Sequence, residues 1–174
     1  MSTLGVAIVG TGMIGAVHRR AALLAGATVR GVAASSPARA QEVAQAWGLP
    51  RGYGGIEDVV ADPQVQVVHI CTPNHLHRSM AQAALEAGKH VVCEKPLATT
   101  LDDARALAAL ARSTGRVATV PFVYRYHPVV REARARIAAG ELGPLRLIHG
   151  SYLQDWLLDP ASNNWRVDPA LGGV

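Results

Sequence analysis

Apolar and polar positions follow one another in blocks that predict strands and helices in turn. Leu4 to Val9 is a compact apolar run with β-branched positions, which predicts a buried strand. Ala16 to Ala25 has helix-forming composition. Thr28 to Ala34 reads as a second strand, and Pro37 to Trp47 as a helix capped by Ser36 with proline at its first position. A turn at Gly52-Tyr53-Gly54-Gly55 and a short helix from Ile56 to Ala61 lead to a strand from Val65 to Cys71. A helix from Arg78 to Ala87, closed by Gly88, precedes a strand from His90 to Cys93. Leu101 to Ala111 is a helix begun at Thr99 or Thr100, with Asp102 and Asp103 in its first turn and Gly115 at its end. Arg116 to Tyr124 reads as a further strand. Strand, helix, strand at this spacing is a βαβ unit with a right-handed connection, so the expected fold class is α/β with a doubly wound parallel sheet.

Beyond Tyr124 the pattern changes. A helix from Val129 to Ala139 and an alternating strand from Leu145 to Tyr152 look like the opening of another sheet, and Asp155 to Val174 reads as irregular. The expected division is therefore a first domain at 1–124 and the start of a second at 125–174.

The chemistry collects at the strand ends. Gly10-Thr11-Gly12-Met13-Ile14-Gly15 follows a strand and opens a helix, the context in which Gly-x-Gly-x-x-Gly binds a dinucleotide. The first glycine permits the tight turn, the second lets the backbone approach a pyrophosphate, and the third lets helix and strand pack closely. The helix N-terminus offers amides and a positive dipole end to the phosphates. Roughly 20 residues further on, an NAD enzyme usually places an acid on the ribose hydroxyls. Here that end is Ala34-Ser35-Ser36, without an acid, and Arg39 follows. Two hydroxyls and a guanidinium suit a 2′-phosphate, which leans the expectation weakly to NADP over NAD. Ser36 also serves simply as the helix cap.

Cys71-Thr72-Pro73-Asn74 closes the next strand, and Glu94-Lys95-Pro96 closes the one after. Ligands of open parallel sheets bind outside the carboxyl ends of the strands, so Lys95 stands where a reactive amine would be held. His75 and His77 supply two metal ligands at most, with no thiolate or carboxylate pattern to complete a site, and no metal is expected.

Composition changes the picture only by exclusion. With 49% apolar and 17% charged residues the chain is a folded globular protein, not a disordered one. The net charge of +4 is spread over scattered arginines, which argues against a nucleic-acid interface. No apolar stretch approaches the roughly 18 residues that span a bilayer, and no signal peptide is evident. Cys71 and Cys93 fall in predicted buried strands without a disulfide framework, which suggests a reducing, cytoplasmic setting.

The glycine turn, Ile70-Cys71-Thr72-Pro73-Asn74-His75-Leu76-His77, Glu94-Lys95-Pro96 and Tyr124-Arg125-Tyr126, in that order and spacing, resemble the glucose–fructose oxidoreductase / inositol dehydrogenase / MocA family. The resemblance runs through essentially the whole chain. It implies a Rossmann domain followed by an α+β domain on an open antiparallel sheet, through which family members commonly pair. It also implies hydride transfer between NAD or NADP and a sugar or polyol. By the same resemblance Gly10, Thr11, Gly12, Met13 and Ile14 bind pyrophosphate, and Ser35, Ser36 and Arg39 bind the adenosine ribose. Cys71, Thr72, Pro73, Asn74 and His77 line the centre of the cofactor. Glu94 and Lys95 sit beside the nicotinamide, with the Lys95–Pro96 peptide cis; the mechanism expected from this placement has Lys95 exchange or steer the hydroxyl proton. Tyr124, Arg125, Trp165 and Arg166 belong near the nicotinamide or substrate. In the family an Asp and a His follow a Gly-Gly segment like Gly172-Gly173 and complete the catalytic group. Their absence before Val174 marks the chain as an expected fragment of a longer protein. The alternatives are a dinucleotide-binding regulator without catalysis and an assembly module.

Overall fold

The computed structural model describes residues 3–159, 161–162 and 164–172. By compactness the chain divides into two units, one of residues 1–121 with 165–174 and the other of residues 122–164. This division runs close to the expected boundary at 124/125, but it returns the tail to the first unit.

The first unit is built on a parallel sheet of six strands in the order β3-β2-β1-β4-β5-β6. They are β1 (Gly5–Val9), β2 (Thr28–Ala33), β3 (Gly52–Tyr53), β4 (Val67–Ile70), β5 (His90–Cys93) and β6 (Ala118–Thr119). Side chains alternate across the sheet, and both faces are apolar. From β1, Ala7 and Val9 enter a core with Val59, Leu85 and Leu107, contributed by α3 (Ile56–Ala61), α4 (His77–Glu86) and α5 (Leu101–Thr114). Val6 and Ile8 of the same strand enter a second core with Ala22 and Val43, from α1 (Met13–Leu24) and α2 (Pro37–Ala46). A strand covered on both faces must read as a continuous apolar run, which is what Gly5–Val9 shows.

Local signals set the helix ends. The Ser36 hydroxyl accepts from the Arg39 amide at the start of α2, and the Thr100 hydroxyl accepts from the Asp103 amide at the start of α5. Gly115 closes α5 at φ 64°, a left-handed conformation that favours glycine.

Four expectations are corrected. Gly52–Tyr53, expected as turn, is a two-residue strand beside β2. The expected strand Arg116 to Tyr124 shrinks to β6, and Val123–Tyr126 forms a single 3₁₀ turn. Leu145 to Tyr152 carries no strand, and its residues are exposed. Alternation marks a segment as fit for a ladder but cannot supply the neighbouring strand that makes one. The expected irregular tail forms a 3₁₀ turn at Trp165–Val167 and a short helix, α7 (Pro169–Gly172). In the second unit, α6 (Pro128–Ala138) matches the expected helix, and the Tyr124 and Tyr152 hydroxyls lie 2.6 Å apart.

Candidate functional site

Register lines up the strand ends. Val9 pairs with Ile70, and Ile70 with Cys93, so the segments after β1, β4 and β5 leave the sheet side by side. Backbone bonds extend the ladder one residue onto this rim. The Gly10 amide donates to Ala33 O at 2.9 Å, Cys71 to Val9 O at 2.7 Å, and Glu94 to Ile70 O at 2.9 Å. The strand order reverses direction between β1 and β4, and crevices in doubly wound sheets open at such a point.

The three glycines have three different surroundings. Gly10 has φ 100°, and a Cβ there would lie 2.4 Å from the Cys71 carbonyl oxygen. A Cβ on Gly15 would lie 2.1 Å from the Gly10 carbonyl oxygen, so α1 crosses the turn with no room for a side chain. Around Gly12, by contrast, a Cβ would meet nothing within 4 Å. No side chain caps α1, whose N-cap is Gly12 itself. A helix start with uncapped amides and open space above the middle glycine is a cradle of the right chemistry for a pyrophosphate.

At the end of β2, Ser36 is engaged as the α2 cap and the Arg39 guanidinium pairs with Glu42 at 2.7 Å. Ser35, Ser36 and Arg39 are all exposed, and the strand end itself, Ala33-Ala34, carries no acid.

Beyond β4, Thr72, Pro73 and Asn74 are half-buried at the rim, while Cys71 and His77 lie beneath it. His77 is fully buried. Its Nε2 lies 2.9 Å from Thr72 O and its Nδ1 2.7 Å from Pro96 O, so the ring ties the loop after β4 to the loop after β5. Asn74 Nδ2 donates to Gly172 O at 2.6 Å, which joins α7 to this rim. Next to α7 the Arg166 guanidinium stacks 4.4 Å from the centre of the Trp165 ring. His75 is exposed, and the described residues hold no cluster of metal ligands.

At the end of β5, Lys95 is exposed and the Lys95–Pro96 peptide is cis. Glu94 is buried at 8% exposure, and its carboxylate is held at both oxygens. Oε1 lies 3.1 Å from His18 Nε2, and Oε2 accepts from the Lys95 amide at 3.1 Å. Burial pushes the Glu94 carboxyl up, but the His18 ring and the Lys95 amide outweigh it and hold it below its ordinary 4.5. Behind His18, His69 Nδ1 lies 3.0 Å from His18 Nδ1. Burial, with the neighbouring His18, lowers the His69 ring to about 4. Burial and then Glu94 push the Cys93 thiol up to about 12 and also raise Cys71, so neither thiol is a ready nucleophile.

The rim thus gathers the residues expected from the strands at 10–14, 34–39, 71–77 and 94–95, and Trp165 and Arg166 belong to the same unit. Tyr124 and Arg125 belong to the other unit and are exposed. Reading the chain missed His18 and His69. The buried positions of α1 are Gly15, His18 and Ala22, so His18 falls on an apolar helix stripe, which was the available signal.

Sheet order, switch point and glycine cradle define a dinucleotide-binding protein of the Rossmann type. The chain belongs to the Gfo/Idh/MocA oxidoreductase family: residues 4–122 match its NAD-binding Rossmann-fold model and residues 130–174 its C-terminal domain. It is 36% identical to the levoglucosan dehydrogenase of Pseudarthrobacter phenanthrenivorans over 183 residues, covering 99% of this chain and 47% of that protein. A levoglucosan dehydrogenase in complex with NADH and levoglucosan superposes with a TM-score of 0.91 at 37% identity, over 99% of this chain and 49% of that one. An inositol dehydrogenase homologue from Azotobacter vinelandii complexed with NAD+ superposes at 0.89, also at 37% identity, over 99% and 49%. The chain spans about half the length of these relatives. Among the described residues, no helix is long and apolar enough to cross a membrane.

Proposed function

We propose that this chain is the cofactor half of an NAD(P)-dependent dehydrogenase that acts on a hydroxyl or carbonyl carbon of a sugar or polyol. The observation that carries this is the shared rim. An exposed primary amine, Lys95, leaves the sheet beside the strands that bear the glycine cradle and the Thr72–Asn74 turn. The relatives, among them a levoglucosan dehydrogenase, point to the same substrate class.

A bound nicotinamide would supply the carbon that gives or takes the hydride. The protein's own residues do the rest. Gly10 to Ile14 hold the pyrophosphate with backbone amides, and Thr72, Pro73 and Asn74 line its continuation. Cys71 and His77 support that turn from below. Lys95 Nζ exchanges the hydroxyl proton of the substrate, and the Glu94 carboxylate behind it accepts from the Lys95 amide and holds that residue in place. Trp165 and Arg166 stand toward the nicotinamide side, and the family resemblance assigns Tyr124 and Arg125 to the substrate. The family resemblance further supports pairing of two copies of the whole protein through the C-terminal sheet, and the buried free thiols Cys71 and Cys93 suit a reducing, cytoplasmic setting.

At the adenosine end, the missing acid and the Ser35, Ser36, Arg39 group favour NADP over NAD. The Arg39–Glu42 pair keeps the preference small, because a 2′-phosphate must compete with a carboxylate already in place.

In the full-length protein, Lys95→Ala should lower kcat by about a hundredfold or more while NADH affinity stays within about threefold. Normal turnover by that variant would defeat the assignment. Arg39→Ala should abolish the NADP preference in a parallel titration. Tight NADH binding by a full-length form that turns over no sugar or polyol would favour the regulator instead.

A further inference from the structure

The proton-exchanging lysine and the pyrophosphate-binding helix are far apart in sequence, yet one buried chain of polar groups connects them. It begins on α1 at His18, 7% exposed and one turn beyond the last glycine of the cradle. His18 Nε2 meets Glu94 Oε1, and the other carboxylate oxygen takes the amide of Lys95. A carboxylate only accepts, so His18 must donate from Nε2. That leaves Nδ1 facing His69 Nδ1 from β4 at 3.0 Å, with the two rings edge to face at 88°. Three contacts thereby join α1, β4 and the end of β5, and both His18 and Glu94 are buried. Glu94 and His69 are the ionisable groups in contact with His18, and the Cys71 and Cys93 thiols lie near Glu94.

Nothing in fold formation demands this arrangement, since a leucine at position 18 and an apolar residue at 94 would fill the same space without burying a carboxylate. A buried charge held at both oxygens, with one bond running to the peptide of the reactive lysine, is the arrangement that fixes a backbone position. We propose that His18 is a positioning residue that couples occupancy of the glycine cradle to the placement of Lys95, through Glu94. The inference rests on the cofactor reading above. Phosphates drawn onto the start of α1 shift or stiffen that helix, and the His18–Glu94 contact carries the change to the Lys95 amide.

The sequence holds two lysines, Lys89 and Lys95, which makes the test direct. Lys89 is pinned to the Asp62 and Val65 carbonyls at 2.8 Å each and serves as the internal reference. Reductive methylation with ¹³C-formaldehyde labels both, and Lys95→Arg assigns the signals. The probe is ADP, which brings a diphosphate but no nicotinamide to touch the amine. In the wild type, saturating ADP should move the Lys95 signal. In His18→Leu the movement should fall at least about threefold while the ADP dissociation constant stays within about threefold. His18→Gln, whose amide N–H stands where Nε2–H stood, should restore it. A purely packing role would be met by leucine and not rescued by glutamine. If His18→Leu does not fold, Glu94→Gln replaces it, because its single carbonyl oxygen cannot serve both His18 and the Lys95 amide. An unmoved Lys95 signal in ADP-bound wild type, or an equal movement in the leucine and glutamine variants, overturns the coupling alone. Failure of the wild type to bind either ADP or NADH overturns the cofactor reading, and the coupling with it.

Discussion

Gly12 and Gly15 stand three residues apart in one motif, yet alanine should act on them in opposite ways. At Gly15 the new Cβ falls 2.1 Å from the Gly10 carbonyl oxygen, and real Cβ atoms essentially never approach within 3.0 Å. The obstacle is backbone at the tight turn, where Gly10 already occupies φ 100°, so neither side can yield by rotating a side chain. Helix α1 must retreat from β1 by about 1 Å, opening the Ile8–Ala22 contact region, at a cost of about 2–3 kcal/mol. For a chain of this size that corresponds to a fall in Tm of about 4–12 °C. At Gly12 the methyl meets nothing within 4 Å. The backbone there, at φ −72° and ψ −172°, is open to alanine, so stability should change by less than about 1 kcal/mol. What alanine does at Gly12 is occupy the space through which a pyrophosphate reaches the amides. NADH affinity should therefore fall at least about tenfold, or 1.4 kcal/mol. Thermal unfolding and NADH fluorescence titration of the two variants separate the effects. Wild-type NADH affinity in Gly12→Ala would show that no phosphate lies over that residue. Wild-type stability in Gly15→Ala would show that the helix and turn are not in contact.

Acid should weaken the fold through two carboxyls. At Glu94, burial raises the carboxyl, and the His18 ring and Lys95 amide more than offset it. At Asp62, burial is likewise outweighed by the Gln64 amide, the Tyr53 hydroxyl and Arg51. Both titrate lower in the fold than in the unfolded chain. Their stabilisation is present in full above 4.5 and 3.8 respectively and declines as pH falls below those values toward the folded ones. Urea unfolding between neutral pH and pH 3 should show that decline, and a flat profile there would contradict the geometry. His77→Leu leaves the Thr72 and Pro96 carbonyls without the ring that joins them. It should cost about 1–3 kcal/mol in urea and weaken NADH binding several-fold, and an unchanged urea midpoint would remove its tying role.

Order of elements and the position of the glycine turn were legible because both are local. Runs such as Gly5–Val9 and Val91–Cys93 announce strands buried on both faces. Ser36-Pro37 and Thr100 with Asp103 announce helix starts, since each involves atoms within one helical turn. Lys95 at a strand end was likewise visible, because a strand followed by proline must stop. His18 and His69 were not, because their partners lie 76 and 51 positions away from His18 and meet only when α1 settles on the sheet. The same holds for Gly52–Tyr53, whose strand character comes entirely from β2, and in reverse for Leu145–Tyr152, whose alternation finds no neighbour. The amino-acid sequence by itself determined the main strands and helices of the first unit, their order, and which residues stand at their ends. Tertiary structure alone decided which of those ends share a rim and which buried groups back them, since contacts between distant residues depend on register and close packing, which no local pattern encodes.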